Sequence, residues 1–141
     1  MAIGADLDLQ RGIVTKLKAS SALQALIGNP IRLFQDVPPP ETLTFPYVTV
    51  GISQTLSDNA ECIPGSESFQ DLHVFTRAAG FELCKRIGAT IRDELDDASL
   101  SLGENRCVEI RFDSERYFKD QDNLTKHGVV TFRALVEPLE L

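Results

Sequence analysis

The sequence predicts an α+β fold, a mostly antiparallel sheet of four to five strands with two main helices packed on one face. Three observations predict it. Apolar residues recur at every second position in three stretches, near residues 47–52, 107–112 and 127–137, as strands with a buried face require. They recur at every third or fourth position in two others, 6–19 and 81–97, as amphipathic helices require. Strands that follow one another through turns, with the helices set apart, give an antiparallel sheet under a helical layer. The 141 residues are one domain's worth of chain, enough for a sizeable core and too few for two.

The first helix is predicted over about Asp6 to Ala19, with Leu9, Ile13 and Leu17 on one face and Leu7 and Val14 beside them. Asp6 and Asp8 near its start and Lys16 and Lys18 near its end follow the polarity of the helix dipole. Ser21 and Gln24 have capping-box spacing for a short helix, Ala22 to Ile27, which Gly28-Asn29-Pro30 ends. Ile31 to Gln35 reads as a short strand. Asp36-Val37-Pro38-Pro39-Pro40-Glu41 after it is a stiff, irregular arm, because proline has no N–H for a ladder. The arm is either a contact loop or a rigid connector.

Phe45-Pro46-Tyr47-Val48-Thr49-Val50-Gly51-Ile52 reads as the central strand around which the chain is organised. Val48, Val50 and Ile52 lie on one face, and Tyr47, Thr49 and Gly51 on the other. Pro46 stands where a missing donor costs least, at the strand's first residue. Gln54 to Glu67 is rich in Ser, Asp, Asn, Pro and Gly and reads as a long hairpin loop. Ser68 to Arg77 is a strand apolar on both faces through Phe69, Leu72, Val74 and Phe75.

The second main helix runs from about Phe81 to Asp97, with Phe81, Cys84, Ile87, Gly88, Ile91 and Leu95 inward; Gly88 there lets the helix approach the sheet closely. Asp93, Glu94, Asp96 and Asp97 crowd its C-terminal end against the dipole, as a solvated acidic helix end. Cys107 to Phe112 is a half-exposed strand with Val108, Ile110 and Phe112 inward, and the chain stays extended to Lys119. It turns at residues 120–123 and returns as a strand, His127 to Glu137, with Val130, Phe132, Ala134 and Val136 inward.

A formal net charge of −7 and a pI near 4.8 disfavour a broad cationic footprint for nucleic acid or anionic lipid, yet suit an acidic wall past which DNA slides. No apolar run nears the roughly 20 residues that span a bilayer, and Met1 to Gln10 lacks a signal pattern, so no membrane role and cytoplasmic synthesis are expected. Cys62, Cys84 and Cys107 are odd in number and lack Cys-x-x-Cys spacing; they read as reduced thiols. No phosphate loop, nucleophile elbow or His-Glu-x-x-His occurs, and His73 and His127 each stand alone, so no catalytic residue and no cofactor are predicted. Asp113, Glu115, Asp120 and Asp122 cluster without the spacing and central glycine of a calcium loop, so no metal site is assigned.

Four blocks carry a resemblance. They are Ile31-Arg32-Leu33-Phe34-Gln35-Asp36-Val37-Pro38, Phe45 to Gly51, Leu72-His73-Val74-Phe75-Thr76-Arg77-Ala78-Ala79-Gly80, and His127-Gly128-Val129-Val130-Thr131-Phe132-Arg133-Ala134. In their order and spacing the chain resembles the tail-completion, or tail-terminator, proteins of long-tailed bacteriophages and gene transfer agents. The triple proline at Pro38 to Pro40 and the polar 57–68 stretch depart from that pattern.

The resemblance implies a non-enzymatic virion protein on the head-proximal end of the tail. It would form a ring, six-membered in the family, that stops tube growth. Its partners would be its own copies, the tail tube protein and the head-tail connector or stopper, with DNA only in transit. It further implies a lumen lined by Asp93, Glu94, Asp96, Asp97, Glu115 and Asp120, while the arm of Asp36, Val37, Pro38, Pro39, Pro40 and Glu41, where the chain departs from the family, is the candidate partner-contact loop on its own residues. Two other readings remain: a head-closure or minor head-tail joining component, and a small metal-binding enzyme built on the carboxylates after Asp113.

Overall fold

The computed structural model describes residues 4–57 and 65–139. Cys62 and residues 58–64 of the expected 54–67 loop lie outside the described residues, and 54–57 and 66–67 of it are strand, not loop, because 54–57 pair with 66–69 across the hairpin. Helices α1 (Ala5–Lys18), α2 (Ser21–Ile27) and α3 (Glu82–Leu95) cover one face of a sheet built from β1 (Leu33–Phe34), β2 (Tyr47–Ser57), β3 (Ser66–Thr76), β4 (Asn105–Lys119) and β5 (Lys126–Pro138). The strand order is β1-β2-β3-β5-β4. All neighbours are antiparallel except β1, which runs parallel to β2, so the sheet is mixed. The β1–β2 link can pair parallel because its residues 35–46 cross back before β2 begins, including a 3₁₀ turn at Pro40–Thr42 inside the arm expected to be irregular.

The centre of the sheet is β3, not β2. Leu72 and Val74 of β3 point into the helical side, as do Val48 and Val50 of β2, Ile110 of β4, and Val130, Phe132, Ala134 and Val136 of β5. They meet Leu9, Ile13 and Leu17 of α1, Leu23 and Ile27 of α2, and Cys84, Ile87, Ile91 and Leu95 of α3. Both helical stripes read from the sequence are therefore buried, and a core of this size is the dominant stabilising term. Gly88 lets α3 approach as anticipated. A Cβ there would overlap the Tyr117 hydroxyl, and Tyr117 is itself seated over Gly128, where a Cβ would lie 2.7 Å from its ring.

Strict alternation fails at β-bulges. One extra residue on β2 between Val50 and Ser53 rotates the strand, and Ile52, expected inward, is 75% exposed. On β4 the extra residues are Val108 and Asp113. The first turns Val108 outward to 52% exposure, against the expected inward position; the second brings Tyr117 to the core side and Phe118 to the opposite face.

Polar clasps tie the helical layer to the strands. The N-cap of α2 is Ser20, not Ser21: its oxygen accepts from the Leu23 N–H at 3.1 Å while its hydroxyl donates to Glu94 Oε1 at 3.0 Å. Gly28, at φ 94°, ends that helix in the left-handed region that glycine tolerates. Asp8 is 2% exposed and accepts from the N–H groups of Gly103, Glu104 and Asn105 and from the Asn105 side chain, all within 2.8–2.9 Å. A helix residue read for its charge thus pins the chain entering β4.

Candidate functional site

With the helices on one face, the other face of the sheet is open, and a row of aromatic rings crosses it. The pairing register sets Tyr47 of β2, Phe75 of β3, His127 of β5 and Phe118 of β4 in line across four strands. Successive ring centroids lie 4.8, 4.4 and 4.6 Å apart, and Phe34 of β1 adds a fifth ring 6.3 Å from Tyr47. Every strand contributes one ring. Such pairs contribute about 0.5–1.5 kcal/mol each beyond their area burial. Arg116 lies over Phe118 at the β4 end of the row, and Arg77 lies over Phe45, a ring 5.2 Å from Tyr47. Tyr47 and Thr49, expected on the face opposite Val48 and Val50, lie on this face but are covered by their neighbours, at 4% and 6% exposure.

His73 lies next to this row, its Nδ1 2.6 Å from Nε2 of His127, whose Nδ1 is 2.9 Å from Asp120 Oδ1 in the β4–β5 turn. The two histidines are 54 residues apart in sequence and are brought together by the β3–β5 pairing, so neither is solitary. Burial pushes the His73 pKa down, and a charge on His127 pushes it the same way. Toward the other end of the face the surface becomes polar: Arg133 bonds Glu67 and faces Glu109, and Thr131 donates to Asp71 at 2.6 Å.

The acidic residues expected to share one surface divide between separate places. Asp93 and Asp97 are exposed at the end of α3. Glu94 is engaged by Ser20, and Asp96 accepts from the Phe112 N–H at 2.9 Å and from Arg111 at 3.2 Å. The Phe112 N–H and the Arg111 charge hold the Asp96 carboxyl below its usual range. Glu115 is exposed on β4, whereas Asp120 sits in the turn bonded to His127. Asp122 in the same turn accepts from the Leu124 and Thr125 N–H groups and the Thr125 hydroxyl, bonds that hold its carboxyl far below the usual range. It is thus a turn cap. Among the described residues no group of three or more His, Cys, Asp or Glu is placed to hold a metal ion. The arm Asp36 to Glu41 stands in solvent apart from half-buried Pro38, with Val37 53% exposed. The cross-strand ring row is what sequence reasoning missed; the signal was one aromatic or histidine per strand at matching register.

These features define a class: a sheet-and-helix domain with one face covered by helices and a row of rings across the other. Its family is narrower. The family described as tail completion protein gp17 matches residues 11–137, and the chain belongs to it. No curated protein sequence matches. A chain in the virion of a native gene transfer agent particle is similar in structure, with a TM-score of 0.87 and 27% identity over 96% of this chain and 99% of that one.

Proposed function

We propose that this tail structural protein caps the head-proximal end of the tail tube as a ring, ends tube polymerisation and joins tail to head in the virion. Family membership across residues 11–137 carries the reading, and the similarity to a chain of a gene transfer agent virion supports it. Its partners are further copies of itself, the tail tube protein and the head-tail connector, and it performs no catalysis.

The sheet supplies a physical route to a ring. Because β1 covers only Val48 and Thr49, the rest of β2 has no neighbour on its outer side among the described residues, and β4 has none along its outer edge. Unpaired edges are pairing sites, and the β4 edge of one copy meeting the β2 edge of the next is a head-to-tail contact that can close. Ile52 and Val108, turned out by bulges, stand on these two edges. The exposed arm Asp36 to Glu41 is a contact loop for the tube or the connector. Acidic side chains toward the lumen keep passing DNA from adhering.

Light scattering on the purified protein, alone and with the tail tube protein, tests the reading. The expected mass is about six times 15.6 kDa, either at once or on tube ends. A monomer indifferent to the tube protein refutes it and favours a head-closure component.

A further inference from the structure

We propose that His73, His127 and Asp120 form a proton-linked latch that fastens the β4–β5 turn to the open face of the sheet, keeps its geometry on taking up one proton and opens on taking up a second. The inference is independent of the ring. It follows from three atoms in series, Asp120 Oδ1, the His127 ring and His73 Nδ1, at 2.9 and 2.6 Å.

The donors and acceptors in that series are determined by what each atom can do. The Asp120 carboxylate only accepts, so His127 carries its proton on Nδ1 and presents the Nε2 lone pair to His73. His73 must then donate from Nδ1. At neutral pH both rings are therefore Nδ1–H tautomers, joined in one direction toward Asp120. One added proton preserves every link: His127 becomes an imidazolium that donates to Asp120 from Nδ1 and to His73 from Nε2, and His73 switches its proton to its own Nε2. A second proton places two N–H donors and two positive charges face to face at 2.6 Å, and the rings must part. The two sites thus titrate as a coupled pair.

The surroundings fit such a pair. Gly51 of β2 leaves the space that the His73 ring occupies, because a Cβ there would overlap His73 Cδ2 and Nε2. The charged groups facing the pair are Asp71 of β3, Arg116 of β4 and Asp120 of the turn. Arg77 and Asp122 pair with each other nearby, and β2 presents the uncharged Tyr47 and Thr49. Asp71 is occupied by Thr131, leaving Asp120 as the carboxylate bonded to the pair. Rings of Phe75 and Phe118 against His127 keep water from replacing these bonds.

The test is a pH titration of the full chain by NMR of the histidine ring nitrogens, with amide exchange of residues 120–126 followed in parallel. The expected result is two Nδ1–H tautomers at neutral pH and two steps separated by more than about 1 pH unit. Amide exchange in the turn should accelerate only below the lower step. In His127→Gln, His73 should titrate at higher pH than the lower step of the parent. Asp120→Asn, which keeps the shape and removes the charge, should lower the upper step. Nε2–H tautomers at neutral pH, or a His73 titration identical in the parent and in His127→Gln, overturns the proposal. A variant that fails to fold leaves the parent's tautomers and step separation to decide.

Discussion

Replacing Asp8 with alanine should be the most damaging single polar substitution in the protein. The Asp8 carboxylate receives four hydrogen bonds from the segment 103–105 that leads into β4. Two of the donors, both on Asn105, are buried, and losing a buried acceptor costs about 1–3 kcal/mol for each donor. The Gly103 and Glu104 amides are nearer solvent and can rebond to water, which limits their loss to about 0.5–1 kcal/mol each. The sum is about 3–8 kcal/mol, a large part of the roughly 5–15 kcal/mol by which a domain is stable. In urea denaturation at pH 7, with a slope of about 2 kcal/mol per molar, the midpoint should fall by about 1.5–4 M. Burial alone would raise the Asp8 pKa, but the Asn105 side chain and the three backbone donors reverse this and hold it below the usual value. Its contribution is therefore complete above the unfolded pKa near 3.9 and is lost as pH falls through the lower folded value. The alanine variant should lack that part of the acid dependence. A loss under about 1 kcal/mol at pH 7, or an unchanged acid limb, refutes the clasp.

Gly88→Ala should destabilise by about 1–2 kcal/mol, because overpacking against the Tyr117 hydroxyl outweighs the gain in helix propensity. Tyr117→Phe, which removes a buried hydroxyl with no hydrogen-bond partner, should be near neutral alone and recover part of the Gly88→Ala loss; additivity in that double-mutant cycle denies the contact. Joint neutralisation of Asp93, Asp97 and Glu115 should leave stability within about 0.5 kcal/mol, since these are exposed and make no ion pair among the described residues. If they face the lumen, assembled rings carrying these changes should retain DNA in low salt; unchanged DNA binding removes them from the lumen. Glu94, Asp96 and Asp120 cannot serve in that test, because each holds a hydrogen bond of the fold.

Both main helices and the last strand were legible because their apolar periods are unbroken: Leu9, Ile13 and Leu17, then Cys84, Ile87, Ile91 and Leu95, then Val130 to Val136 are buried as their spacing requires. Ile52 and Val108 were misplaced because a bulge inserts one residue without leaving a mark in the composition, and everything beyond it changes face. β2 was taken as central because it is the most β-like stretch. Centrality, however, is set by which strands pair on both sides, and that is a property of the whole chain. Ser20 in place of Ser21 is the usual uncertainty of a helix end. The ring row and the histidine pair depend on the register between strands far apart in sequence, so no local pattern could reveal them. Asp8 was read correctly as an acidic residue in a first turn, but its partners lie 95 to 97 positions away.

The two faces of the sheet differ in how far a change on them reaches the fold. On the helical side the apolar side chains of the core are almost wholly buried, and even the Tyr117 hydroxyl is enclosed with no hydrogen-bond partner among the described residues; a change there acts on the fold first. On the open side the charged contacts, such as Arg77 with Asp122 and Arg133 with Glu109, are half-exposed, and pairs of that kind contribute about 0–1 kcal/mol. They can be exchanged for contacts with a neighbour at little cost to the fold. The ring row differs, since its register is fixed by backbone pairing across four strands, and its rings are therefore ordered in advance of any contact. The proposed place between tail tube and head would use that combination: a core indifferent to what binds, beside a face that is rigid where rings lie and exchangeable where charges lie.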